Sequence, residues 1–301
     1  MHSRARWVNS RTVPGFGRNE EGAAVRPVGN GQTKGTDSPL TISPPRWSIP
    51  ARVAWQPFFA DGGAFPLAST CLILTCEHAG NRVPPEFREI LSPDHPILST
   101  HAGYDLGALE LARHLARRLE APLLFSTVTR LVVDLNRSVG NPALYSRFTR
   151  PLLRETRLRI LERYYHPHRD RVESEILARV RKGHRVLHLG IHSFTPEMGG
   201  KIRRTDIGLL YDPARGLERE FCDTWKECLE RADPNLRVRR NYPYLGVADG
   251  FTTSLRRKFP PHRYLGIEVE TNQKWLFSRG KGWLDLKQTL SESLAETLGF
   301  S

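Results

Sequence analysis

The chain has 301 residues, 39% of them hydrophobic and 26% charged, which suits one soluble domain with a sizeable core. No apolar run approaches the ~20 residues of a membrane span, so no membrane partner is expected. A formal net charge of +13 admits nucleic acid, but the arginines are spread along helix-like segments and no RNA motif or recognition helix is visible; the expected role of this charge is a solvated basic surface that steers anionic substrates.

Residues 1–66 are rich in Gly, Pro, Arg and Ser, with breakers such as Val13-Pro14-Gly15 and Ser43-Pro44-Pro45 and no sustained period. They read as a disordered or loosely attached N-terminal extension. There is no secretory apolar core, and the arginine-rich, acid-poor composition of a transit peptide lacks its amphipathic face. The folded unit is expected over 67–301.

Within it, Leu72–Cys76 reads as a buried strand, and 105–119 as a helix with a stripe of Leu106, Leu109, Leu111, Leu115 and Leu119. Strands follow at 123–126 and 131–135, then a long charged helix over 152–181. A strand is predicted at 186–191, a helix at 216–231, a strand at 264–269 and a last helix at 285–298. Arg203 to Gly208 and Asn241 to Gly250 read as loops at the mouth of a pocket. Strands alternating with helices predict an α/β fold, a mainly parallel sheet covered by helices on both faces. Four cysteines without a CxxC pair fit a reduced, cytoplasmic protein.

Polar clusters end several of the apolar runs, at the strand ends where α/β sheets bind ligands. His78 follows the first strand and precedes Ala79-Gly80, where small residues leave room for a ligand. His192 ends a later strand, and a buried strand-end histidine needs a partner, for which a metal is one solution. His188, on the same face, reads as a core histidine. Asp105 serves either as an ordinary helix N-cap or as the carboxylate of a metal site; Glu77 and His101 are the alternatives, although alternation turns Glu77 away from His78. Glu268 and Glu270 share one strand face; they lie on a solvated edge or supply a catalytic base, Glu268 first and Glu270 second. Arg137 with Asn136 offers a planar fork for a carboxylate, or else Arg137 pairs with Asp134. Arg130 either polarises a carbonyl or pairs with an acid, and the pair Arg203-Arg204 suits an acidic substrate, with Arg204 the nominated residue.

Taken in order, CEHAGNRVP from Cys76, HAGYDLG from His101, TRLVVDLNRS from Thr129, GIHSFTP from Gly190, RRTDIGLLYD from Arg203, NYPYLGVADG from Asn241 and YLGIEVETNQ from Tyr264 resemble the N-formylglutamate amidohydrolase family. The resemblance spans residues 72–298. It implies a mixed, mainly parallel sheet sandwiched by helices, of the zinc-carboxypeptidase and aspartoacylase kind. It also implies Zn2+, or another divalent metal, held by His78, His192 and a carboxylate. Zinc carboxypeptidases place that carboxylate three residues after the first histidine; here the position is Asn81, so Asp105 is the replacement. Asn136 and Arg137 then grip a substrate carboxylate, Glu268 or Glu270 activates water, and Arg130 stabilises the oxyanion. The implied substrate is N-formyl-L-glutamate or a related small anionic N-acyl amino acid. A function of another class, a basic binding protein for nucleic acid or an acidic partner on a degenerate hydrolase fold, is the alternative; metal content separates the two.

Overall fold

The computed structural model describes residues 70–278 and 282–299; the expected extension over 1–66, and its boundary with the folded unit, lie outside the described residues. Strand β1 (Thr70–Cys76) leads through a long loop to helix α1 (Ala108–Arg118), which returns to a short β2 (Leu123–Phe125). Loops occupy 126–153. A helical stretch follows, built of α2 (Arg154–Ile160), a π-turn (Leu161–Tyr165) and α3 (His166–Arg181). The wide turn falls just before Pro167, whose missing N–H and bulky ring disfavour a regular α-helical turn there. Then come β3 (Arg185–Phe194), a hairpin of β4 (Glu197–Met198) and β5 (Lys201–Ile202), and β6 (Ile207–Leu210). Helix α4 (Gly216–Ala232), β7 (Val238–Arg240), α5 (Phe251–Arg256), β8 (Tyr264–Asn272) and α6 (Gly282–Thr297) complete the chain.

The main sheet runs β2-β1-β3-β8-β6-β7. Its pairings are parallel except β6 against β8, so the sheet is mixed and mainly parallel. Alternation along the strands sends residues to two faces. One face is apolar throughout: Leu72, Leu74, Leu187, Leu189, Leu265 and Ile267 pack under α1, α4 and α6, with Trp225 fully buried among them. Burying each such side chain contributes roughly 1.5–3 kcal/mol. The other face is apolar only toward its amino end, where Ile73, Val186 and Tyr264 meet Val172 and Ile176 of α3 and Phe251 and Leu255 of α5. Toward the carboxyl end it carries Thr75, His188, His192, Glu268 and Glu270.

Two predicted elements need correction, and helix α5 was not foreseen. The run 131–135 is a set of turns, not a strand. Its apolar side chains are buried, but in a separate cluster with Phe87, Leu98, Leu144 and Tyr165. Its carbonyls are satisfied by side chains: Ser146 donates to Leu131 O at 2.5 Å, Thr149 to Val132 O at 2.9 Å and Arg169 to Leu135 O at 2.9 Å. The segment predicted as loop after Arg203 enters β6 at Ile207, and α5 follows the loop at Gly250. Both are too short to show a period, and tertiary pairing makes them.

Candidate active site

Three chain segments converge where β1 and β3 end. His78 leaves β1 and is 2% exposed; His192 lies near the end of β3 and is 3% exposed. Asp105 comes from the loop before α1, held by its own N–H donating to His78 O at 3.0 Å. It does not cap the helix, whose N-cap is Gly107. A latch fixes the loop to β3: Ser193 donates to Leu106 O at 2.7 Å and accepts from Gln273 at 3.0 Å.

Both imidazoles turn Nδ1 to the same oxygen, Asp105 Oδ2, at 3.3 Å from His78 and 2.9 Å from His192. Each turns Nε2 to a second acid. His78 Nε2 donates to Asp134 Oδ1 at 2.7 Å, and His192 Nε2 lies 3.3 Å from Glu77 Oε2. Carboxylates behind histidines in this way fix ring orientation and tautomer in metal sites. Donor atoms of His78, Asp105 and His192 lie within 4.8 Å of one another. Arg130 spans the two aspartates, 3.3 Å from Asp105 Oδ1 and 2.7 Å from Asp134 Oδ2.

Charge explains the titration of this group. Burial works against ionised Asp134, but Arg130 and His78 outweigh it and hold the carboxyl well below the usual range. Burial lifts Asp105 less than His78, His192 and Arg130 lower it. Burial likewise opposes Glu77, and the neighbouring imidazoles of His168 and His192, 3.6 and 3.3 Å away, hold its carboxyl well below the usual range. The histidines respond in turn. Burial and Arg130 push His78 down, yet Asp134 and Asp105 leave it raised; burial pushes His192 down, yet Asp105 and Glu77 lift it well above its ordinary value. These acids create a seat for added positive charge, and a divalent cation fits the donor set of two imidazoles and a carboxylate.

Glu270 stands opposite His192 in the β3–β8 register and is 5% exposed, with Oε2 lacking a hydrogen-bond partner. Burial raises its carboxyl to about 8, with the attraction of His192 outweighed by burial and by nearby Asp105 and Glu268. Its neighbour across the antiparallel pair is Gly208. A Cβ there would lie 1.8 Å from Tyr242 O, so only glycine lets the 241–250 loop come this close. Glu268 points to the same face, where Thr252 Oγ1 donates to it at 3.2 Å. Beside it, Asn136 Oδ1 accepts from Phe251 N at 2.6 Å. Arg137 donates to Asp249 O at 2.8 Å, while Asp249 accepts from Ser138 N at 3.0 Å and from Asn141 at 2.6 Å.

The structure thus brings His78, Asp105, His192, Arg130 and Glu270 together, with Glu268, Asn136 and Arg137 alongside. It places His101 at the surface and Asn81 toward Leu98 O, 3.1 Å away. Arg204 is exposed on a depression with Lys274 and Trp275, and has no hydrogen bond or ion pair to the cluster. Glu77, expected to face away, meets His192: it continues the face of Thr75, which pairs with Gly190, while β1 ends at Cys76, so alternation no longer governs His78, which turns to the same cluster. His168 of α3, 3.6 Å from Glu77 Oε1, carries no sequence signal; it sits in a charged helix like any solvated residue. Asp134 did carry one, an acid directly after the buried run Leu131-Val132-Val133.

The N-formylglutamate amidohydrolase family model matches residues 70–276. The chain belongs to this family. Among solved structures, a gene product of Agrobacterium tumefaciens is 30% identical and superposes with a TM-score of 0.66, over 77% of this chain and 92% of its own. An N-formylglutamate amidohydrolase from Ralstonia eutropha is 19% identical, with a TM-score of 0.57 over 76% of this chain and 93% of its own, and shares the fold. No curated protein matches the sequence. Members of this family are hydrolases, and the cluster at the sheet edge is the candidate site for that chemistry. No helix among the described residues is long and apolar enough to cross a membrane.

Proposed function

We propose that the chain is a metal-dependent amidohydrolase that splits N-formyl-L-glutamate, or a closely related small anionic N-acyl amino acid, into formate (or the matching acid) and the free amino acid. The observation that carries this reading is the convergence of His78, Asp105 and His192, each imidazole backed by a further acid, beside a buried carboxylate with an unpartnered oxygen. His78, Asp105 and His192 would hold the metal, with zinc the favoured ion for such donors. When bound, it supplies Lewis acidity to the amide carbonyl and the attacking water.

Glu270 is the general base of this reading, ahead of Glu268, because its free oxygen stands opposite His192 in register while Glu268 is engaged by Thr252. A cation beside it favours the carboxylate form a base requires. Glu270 takes a proton from water as the oxygen attacks the formyl carbon, then returns it to the nitrogen as the C–N bond breaks. Arg130 stays charged between its two aspartates, and its guanidinium, 23% exposed, is available to the oxyanion. Asn136 Nδ2, which has no hydrogen bond among the described residues, and Arg137 would hold the α-carboxylate and orient the amide.

The test is release of formate and glutamate from N-formyl-L-glutamate by chelated, then zinc-resupplied protein. Restoration by zinc in the wild type, and a rate lowered about 1,000-fold in Glu270→Gln, supports the reading. Turnover that survives chelation, or that Glu270→Gln leaves unchanged, contradicts it.

A further inference from the structure

Three buried polar atoms beside the cluster lack a hydrogen-bond partner: Glu77 Oε1, His168 Nε2 and His192 Nε2. They belong to one series of contacts. Glu77 turns Oε1 to His168 Nε2 at 3.6 Å and Oε2 to His192 Nε2 at 3.3 Å, and His192 turns Nδ1 to Asp105 Oδ2. All three side chains are withdrawn from water. Among the described residues, Glu77 is the one acid that His168 meets.

The helix that carries His168 is shaped to bring it here. A π-turn spends one more residue than an α-turn and so rotates the face that follows by roughly 100°. After the turn at Leu161–Tyr165, α3 buries Arg169, Val172 and Ile176, and His168 lies one turn before Val172 on that inward side. Its ring centre is 6.2 Å from that of Phe251, which packs with Val172 and Ile176 beneath the sheet. Core contacts on α3 and α5 therefore fix the His168 ring independently of Glu77.

Stability does not account for this arrangement. A buried acid between two imidazoles that make no full hydrogen bond to it costs desolvation, and apolar side chains of the same volume often serve a core better. Orientation does account for it. A carboxylate behind a ligating imidazole fixes ring and tautomer, and it does so firmly only when its other oxygen is held. His78 shows the same pattern: Asp134 stands behind it, and Arg130 holds the second oxygen of Asp134. We propose that His168 is a positioning residue: it anchors Glu77 Oε1, so that Oε2 stays on His192 and the His192 ring keeps Nδ1 turned to the metal site. The inference rests on the reading of His78, Asp105 and His192 as metal ligands. It makes the support of His192 two residues deep, reaching from the sheet into α3.

The experiment measures zinc affinity by chelator competition in wild type, His168→Leu, His168→Gln, Glu77→Gln and the double variant Glu77→Gln with His168→Leu, and circular dichroism checks the fold. In parallel, histidine side-chain NMR of the metal-free protein follows the ring nitrogens of His192. His168→Leu is expected to lose about 10-fold in zinc affinity and to move the His192 ring-nitrogen shifts. His168→Gln, whose amide still donates toward Glu77, is expected to stay within about 3-fold of wild type. In the Glu77→Gln background, His168→Leu is expected to add less than about 3-fold, because residues that act through one another are not additive. Unchanged affinity in His168→Leu, equal losses in His168→Leu and His168→Gln, or losses that add in the double variant would overturn the proposal. Should His168→Leu not fold, His168→Asn, too short to reach Glu77, carries the same expectation. If the wild type binds no zinc, the metal reading fails by itself and the His192 shifts decide: moved in His168→Leu and kept in His168→Gln supports the positioning role, while any other pattern overturns it.

Discussion

His188 and His192 lie four residues apart on the same face of β3, both buried, yet they titrate in opposite directions. His188 sits between two neutral hydroxyls, Thr75 Oγ1 at 2.8 Å and Tyr264 at 2.7 Å. Burial dominates there and lowers its pKa to about 4. His192 sits between Asp105 and Glu77, and the acids overcome the same burial. Depth in the sheet is common to both; the partners differ. A buried histidine with hydroxyl partners is a neutral part of the core, and one ringed by carboxylates marks where a cation belongs.

The sharpest way to break this contrast is to remove each histidine in turn. His192→Ala is expected to lower hydrolysis about 1,000-fold or more, since it removes a donor from the site. His188→Gln is expected to stay within about 10-fold in kcat, its fold checked by circular dichroism. Similar losses in the two variants would erase the distinction.

A second test uses pH and stability rather than activity. Unfolded His188 titrates near 6.5, whereas the folded residue titrates near 4. Between those values the unfolded chain binds more protons, so this contribution is fully present above about pH 6.5 and is lost as pH falls toward 4. The loss amounts to about 3 kcal/mol. Urea unfolding at pH 7 and pH 4.5 should show that component in wild type and not in His188→Gln. His192, raised instead, contributes in the reverse sense: its stabilisation is lost as pH rises through its folded pKa.

The outer acids give a smaller effect. Asp134→Asn and Glu77→Gln are expected to weaken zinc affinity about 10- to 100-fold by chelator competition, leaving the two imidazoles in place but less firmly oriented. Smallest of all is an ion pair far from the site. Arg231 and Glu296 meet at the surface, both more than half exposed, and Glu296→Gln is expected to change unfolding free energy by less than about 1 kcal/mol.

Much of the scaffold was legible in the chain. Strands β1, β3 and β8 announce themselves as apolar runs ending in polar clusters, and α1, α4 and α6 by their apolar stripes. The residues at those strand ends, His78, His192, Glu268 and Glu270, are the ones the structure gathers. What the chain hid depends on partners distant in sequence. Leu131–Leu135 is apolar enough for a strand, but no neighbour offers it a ladder. Glu77 reads as the lesser alternative because alternation turns it from His78, although the same alternation, continued from Thr75, is what turns it to His192.

The most direct measurement is zinc stoichiometry after chelation and resupply, in wild type and in His192→Ala. One zinc per wild-type chain and none retained by the variant is the predicted result. A wild type that takes up no zinc, or a variant that holds it as tightly, would contradict the assignment of His78, Asp105 and His192 as the metal site.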